Sequence, residues 1–134
     1  MGGAVRGPAG VRLGLVALLV PDYGEGVAFF VDGLGWALAA DEAQGAKRWV
    51  VVAPPGGGSS LLLARAEGAQ AAGVGRQFAG RVGLFLHTVA FAHDAARIER
   101  AGGRFEEAPR REDYGTVAVW RDPWGNRWDL IEPS

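Results

Sequence analysis

No cysteine occurs in the 134 residues. Disulfide frameworks, Cys-ligated zinc and thiolate nucleophiles are excluded, and the absence agrees with a reducing compartment. Charge of a single sign is also lacking. The 14 Lys and Arg face 15 Asp and Glu, for a net charge near -1. That balance does not support wrapping of nucleic acid, which needs a concentrated positive field. Long hydrophobic runs are missing as well. Val11–Val20 contains Arg12 and falls short of the roughly 20 residues that span a bilayer. It leads into Pro-Asp-Tyr-Gly-Glu rather than a small-residue cleavage site, so it is read as a buried strand and not as a signal peptide. A cytoplasmic protein with neither membrane nor nucleic acid as partner is expected. Gly56–Gly58 lacks the Lys-Ser/Thr that a phosphate loop requires. Nothing places Ser59 or Ser60 in a Ser-His-Asp set.

Apolar residues make up 49% of the chain, enough for one domain with its own core. The 22 glycines concentrate in residues 1–10, 55–58 and 68–80, which read as a frayed start, a hairpin turn and a connection between halves.

The pattern of the chain occurs twice. Leu13–Val20 is a strand-length apolar run with Leu13, Leu15, Ala17 and Leu19 on one face and Gly14, Val16, Leu18 and Val20 on the other. Both faces are apolar, as in a strand covered on both sides. Asp22 is placed to cap a helix, with Glu25 three residues on. Val27, Phe30, Val31 and Leu34 then form a helical stripe that Gly33 and Gly35 stop. Strands follow around Trp36–Ala40, Arg48–Ala53 and Ser60–Ala64. In the second half Val82–Thr88 is a strand, and Phe91, Ala95 and Ile98 mark a helix that ends at Gly102–Gly103. Arg104–Glu106, Thr116–Arg121 and Arg127–Ile131 are strands, with Asp122–Asn126 as the last turn. The mixed-charge run Arg110–Asp113 reads as a solvated loop. A shift of 68 residues places Gly35 on Gly103, Pro55 on Pro123, Gly57 on Gly125 and Tyr23 on Phe91. The expected architecture is α+β: two tandem βαβββ modules, about 12–66 and 81–132, joined by a linker at 67–80, forming a curved mixed sheet around a cavity.

The second half carries Gly-Arg-Val-Gly-Leu-Phe-Leu-His-Thr at 80–88, Tyr114-Gly-Thr-Val-Ala-Val-Trp, and Asp122-Pro123-Trp124-Gly125-Asn126 followed by Asp129. With the run at 20–36, these residues resemble the vicinal-oxygen-chelate superfamily, which includes glyoxalase I, bleomycin-resistance proteins, fosfomycin-resistance enzymes and extradiol dioxygenases. The resemblance covers about residues 12–132. It implies four metal-ligand positions on cavity-facing strands, at Leu15, Leu61, Gly83 and Asp129. Of these, only Asp129 has a donor atom, and one carboxylate cannot repay the dehydration of a divalent ion. No metal and no cofactor are therefore expected. The departure argues against the glyoxalase, thiol-transfer and dioxygenase activities that depend on the metal.

His87 shares strand parity with Phe85 and is expected in the cavity, where an imidazole suits proton transfer or ligand binding. Asp129, between Trp128 and Leu130, needs a partner or a ligand if it is buried. Five tryptophans suit an aromatic-walled site, with Trp49 and Trp120 on opposite phases of the third strands. Tyr114 is placed to cover the mouth. The candidate ligand-binding residues are Leu15, Trp49, Leu61, Phe85, His87, Tyr114, Trp120 and Asp129. The resemblance points to a metal-free homodimer that sequesters an aromatic or amphipathic small molecule, as in the bleomycin-resistance branch. Two alternatives stand beside it: a lyase or dioxygenase with relocated metal ligands, and a metal-free enzyme using His87 and Asp129 as its catalytic pair.

Overall fold

Two four-membered strand pathways, each with one helix packed on it, organise residues 10–134, which are those that the computed structural model describes. Most of the expected start at 1–10 lies outside the described residues. Strand β1 (Leu15–Val20) leads to helix α1 (Tyr23–Val27), then β2 (Ala37–Gln44), β3 (Lys47–Ala53) and β4 (Ser60–Arg65). The second half repeats the order with β5 (Val82–His87), α2 (Phe91–Ala101), β6 (Arg104–Phe105), β7 (Arg110–Glu112), β8 (Gly115–Arg121) and β9 (Arg127–Pro133). The sheets run β1-β4-β3-β2 and β5-β9-β8-β6, with β7 also paired to β8. In each, the first strand is parallel to the last and the hairpins are antiparallel.

Side-chain alternation gives each sheet an inner and an outer face. On the first sheet Leu18 pairs with Leu63, which faces Val50, and Leu61 faces Val52. On the second, Leu84 pairs with Trp128 and Leu86 with Leu130, which face Trp120 and Ala118. All these residues belong to or pack on one core, together with Phe29 and Phe30 from the first half and Phe91 and Ile98 from α2. The two inner faces therefore share a core. Trp120 stacks on Trp128 at 4.9 Å between ring centroids, and Phe30 bridges Trp36 and Trp128 at 4.9 and 5.9 Å. Aromatic pairs in such offset arrangements add to the area they bury.

Several elements differ from the sequence expectation. Asp22 caps α1 as expected, accepting from the Glu25 N–H at 2.8 Å. After Val27, however, the helix widens into a π-helical segment, Ala28–Gly33, closed by the bond from Leu34 N–H to the Phe29 carbonyl. The extra residue in that turn rotates the stripe. Phe29 and Phe30 are buried, while Val27, Val31 and Leu34 are only half-buried. Gly33 lets the two helices meet, since a Cβ there would stand 2.6 Å from the Ala101 methyl. Arg110–Glu112, expected as a loop, pairs antiparallel with Arg111 opposite Thr116 and Glu112 opposite Gly115. Among the described residues the outer face of β1 is only partly covered: Leu15 is 38% exposed, while Leu19 is half-buried.

The register of the two halves also changes at the last hairpin. Six residues, Pro54–Ser59, separate β3 from β4, but five, Asp122–Asn126, separate β8 from β9. The 68-residue shift that relates β3 to β8, Ala53 to Arg121, becomes 67 residues beyond the turn. A one-residue slip turns every following side chain over. Leu61 consequently points inward, 5% exposed, and Leu62 takes the outer position matching Asp129.

The shorter turn is held by Asp122, which is 2% exposed. Its carboxylate accepts from the N–H groups of Trp124, Gly125 and Asn126, the Asn126 side-chain amide and the Trp128 indole, at 2.9–3.1 Å. Removing it strands buried donors. Asp122→Ala is expected to lower unfolding free energy by roughly 3–4 kcal/mol. Urea unfolding measures this as a lower midpoint at unchanged m, and a loss under about 1 kcal/mol would mean that water replaces the carboxylate.

Candidate functional site: the outer sheet faces

The positions expected around a cavity divide between the two sheet faces. On the first sheet Leu15, Ala17 and Leu19 from β1 share the outer face with Ser60, Leu62 and Ala64, their partners on β4, and with Val51, the partner of Leu62. Trp49 has the same parity on β3 and is half-buried. On the second sheet Phe85 pairs with Asp129, which faces Val119, and His87 pairs with Ile131, which faces Val117. Phe85 is 59% exposed and Tyr114, at the β7–β8 turn, 57%. His87 is exposed.

Two of the expected residues lie elsewhere. Trp120 is wholly buried on the inner face, against Trp128, because its parity matches Ala118 and not Val119. Leu61 lies inside for the register reason above. It lines an interior cleft of about 840 Å³ between the inner faces, floored by Trp36, Trp128 and Leu130. Phe85 and His87 stand at the rim of this cleft, where the edge of β5 separates it from the outer face.

Coordination of a metal needs converging donors, and the outer face does not supply them. Leu15 and Leu62 offer hydrocarbon. At Gly83 a side chain would collide with the Phe78 ring at 2.1–2.4 Å, so the linker aromatic fills that space. Among the described residues no three His, Cys, Asp or Glu side chains gather as a ligand set. The donor set does not fit a metal ion.

Asp129 is the polar exception. One of its carboxylate oxygens, Oδ1, is buried with no hydrogen-bond partner. Burial pushes its pKa above the ordinary carboxylate value, as does the charge of Glu107, while Arg110 and Arg127 pull it down. No hydrogen bond joins it to His87, although both occupy the outer face. Beyond Asp129 the face becomes charged. Glu106 lies between Arg121 and Arg127, with N–O distances of 2.7 and 2.9 Å. Hydrogen bonding from Arg127 holds its carboxyl below the usual range, with a smaller effect from Arg121. Glu107 accepts from Arg110 and from the Val119 N–H, which likewise lowers its pKa. The sequence expectation missed this arginine–glutamate lattice. The alternating parity of Arg121, Arg127 and Asp129 on two clearly predicted strands carried the signal.

A raised carboxyl pKa means that the folded state holds its proton to higher pH than the unfolded chain does. The stability contribution of Asp129 is therefore largest at acid pH and falls as pH rises from about 3.8 through its folded pKa. Relative to the wild type, Asp129→Asn is expected to gain a few degrees in Tm at pH 7 and to lose that advantage near pH 3. Thermal melts of both proteins across this range measure the difference. A Tm difference independent of pH would show that Asp129 is solvated as an ordinary carboxylate.

The sequence and the fold match known proteins. A family model described as the Glyoxalase/Bleomycin resistance protein/Dioxygenase superfamily matches residues 12–130. An uncharacterized protein of Shewanella frigidimarina is 48% identical over 121 residues, spanning 87% of this chain and 90% of that protein. The crystal structure of TnmS3, an antibiotic binding protein from Streptomyces sp. CB03234, superimposes with a TM-score of 0.74 at 29% identity, over 96% of this chain and 100% of that one. A glyoxalase/bleomycin resistance protein from the same Streptomyces superimposes with a TM-score of 0.68 at 28% identity, over 90% of this chain and all of that one. With that span of sequence and both sheets accounted for, the chain belongs to the glyoxalase/bleomycin resistance protein/dioxygenase superfamily.

Proposed function

We propose that this protein is a metal-free binder that sequesters an aromatic or amphipathic small molecule, working in the cytoplasm as a homodimer. The observation that carries the reading is the chemistry of the outer faces. Where this superfamily's metal positions fall, the chain presents Leu15, Leu62 and a glycine covered by Phe78. Around them stand exposed or half-buried Phe85, Trp49 and Tyr114. Apolar walls with a few polar groups suit retention of an organic ligand better than bond chemistry. Asp129 supplies an acceptor for a ligand hydroxyl or amine, and His87 a second polar contact at the edge. The likeness to an antibiotic binding protein supports the same reading. Lack of cysteine agrees with the cytoplasm, and among the described residues no helix is long and apolar enough to cross a membrane.

Exposure on the outer faces supports homodimerisation. The inner faces share one core, and Leu15 and Phe85 lie outside it. Exposed apolar residues at Leu15 and Phe85 mark a surface that a second copy covers.

Purified wild-type protein is expected to sediment as a dimer and to hold under 0.1 equivalent (order of magnitude) of zinc, nickel, manganese or iron per chain. Phe85→Asp places a charge on a 59%-exposed residue, so the fold should persist while the dimer dissociates. Sedimentation, elemental analysis and circular dichroism decide. One tightly held metal ion per chain, or a monomeric wild type, would overturn the proposal.

A further inference from the structure

A second concavity lies away from the apolar part of the outer faces. The linker at 74–81 crosses the edge of β1 and packs against the β8–β9 turn, enclosing a cleft of about 490 Å³. The two walls touch: a Cβ at Gly75 would stand 1.8 Å from the Trp124 carbonyl oxygen. Gln77 fixes the linker from below. Its side chain accepts from the Leu19 N–H and donates to the Ala17 carbonyl, while its backbone N–H donates to Asn126. The cleft is thus part of the folded frame.

Its lining includes four arginines, Arg76, Arg81, Arg121 and Arg127, and no acidic residue. Arg121 and Arg127 are already compensated by Glu106. Arg127 also donates to the Gly80 carbonyl, and Arg121 to the Gly125 carbonyl. Among the described residues, Arg76 and Arg81 make no salt bridge. Two aromatic rings, Phe78 and Trp124, complete the walls, and the Trp124 indole is held by Glu25 at 3.1 Å. Between the free arginines the backbone at Ala79 has φ 54°, a left-handed conformation that a residue with a Cβ seldom adopts. Two successive turns hold it there, from the Ala79 N–H to the Arg76 carbonyl and from the Arg81 N–H to the Phe78 carbonyl. Backbone strain of this kind gathers where a loop is shaped for a ligand.

We propose that this cleft binds a planar aromatic oxyanion. Arg76 and Arg81 take the anionic group and Phe78 and Trp124 flank the ring. Guanidinium forks match the geometry of carboxylate and phosphate oxygens, and two exposed ones without a salt-bridge partner on the wall of one cleft favour a negative ligand. The size of the cleft suits a small aromatic molecule. The inference does not rest on the metal-free sequestering role, because the arginines that define the cleft are not among the residues assigned to that role.

Calorimetric titration of the 134-residue chain with 2-naphthoate, with its neutral isostere 2-naphthamide and with inorganic phosphate tests the proposal. At low salt 2-naphthoate is expected to bind at least about tenfold more tightly than either comparator, and to weaken as salt rises. The double variant Arg76→Gln/Arg81→Gln is expected to lose at least about tenfold in 2-naphthoate affinity. Its Tm and dimerisation should be unchanged, since neither guanidinium supports the fold. Equal affinity for 2-naphthoate and 2-naphthamide, no 2-naphthoate binding, or wild-type affinity in the double variant would overturn the assignment. Phosphate binding as tight as 2-naphthoate would overturn the aromatic half of it. Because the variant keeps Leu15, Phe85 and Asp129, failure here leaves the outer-face reading to its own test.

Discussion

Five donors converge on the carboxylate of Asp122. Three are backbone groups of the β8–β9 turn, one is the Asn126 amide, and one is the indole of Trp128 at the centre of the aromatic core. A charge this deeply buried is tolerable only with such saturation. The constraint reaches further, because Asn126 Oδ1 in turn accepts from the Gln77 backbone and the Gln77 side chain holds the free edge of β1. A single carboxylate therefore closes the last hairpin, orients the tryptophan against which Phe30 and Trp36 pack, and ties the linker to the first sheet. The relation of the two halves rests on this chain of contacts and on the helix contact at Gly33.

That relation gives the two sheet faces different roles. Inner faces bury tryptophan, phenylalanine and aliphatic residues at close packing, and most are nearly inaccessible. Outer faces carry the exposed apolar residues and the charged groups. The first is almost wholly apolar. The second grades from Phe85 and Ile131 through the desolvated Asp129 to an arginine–glutamate lattice at the start of β9. Leu15 and Phe85 leave apolar surface of these faces in water, and such area favours association. The same grading separates a region suited to apolar ligands from the basic cleft under the linker.

Element order and the ends of both helices were legible in the sequence, because apolar periodicity, the Asp22 cap and the glycine stops all point the same way. Most residues proposed for the outer faces were legible too, since strand parity assigns Leu15, Phe85, His87 and Asp129 to them directly. Three features were not. The π-helical turn depends on how Phe29 and Phe30 meet Trp120, Trp124 and Trp128 from the other half, which no local propensity encodes. The pairing of β7 needs β8 beside it, because Arg110–Glu112 has no apolar alternation of its own. The inward turn of Leu61 came from one extra residue in a glycine-rich loop, a length difference that the matching prolines and glycines concealed.

The amino-acid order by itself determined which side chains exist to do chemistry: no thiol, one carboxylate among the four positions where metal would be held, and aromatic residues in abundance. It also determined the period-two and helical patterns, because these follow from local backbone geometry. Only the tertiary structure decided which face each side chain takes after the hairpin, that Phe78 occupies the space above Gly83, and that four arginines distant in sequence surround one cleft. The reason is that these depend on register and on contacts between segments far apart in the chain. A single residue more or less in a turn reverses such contacts without disturbing the local pattern.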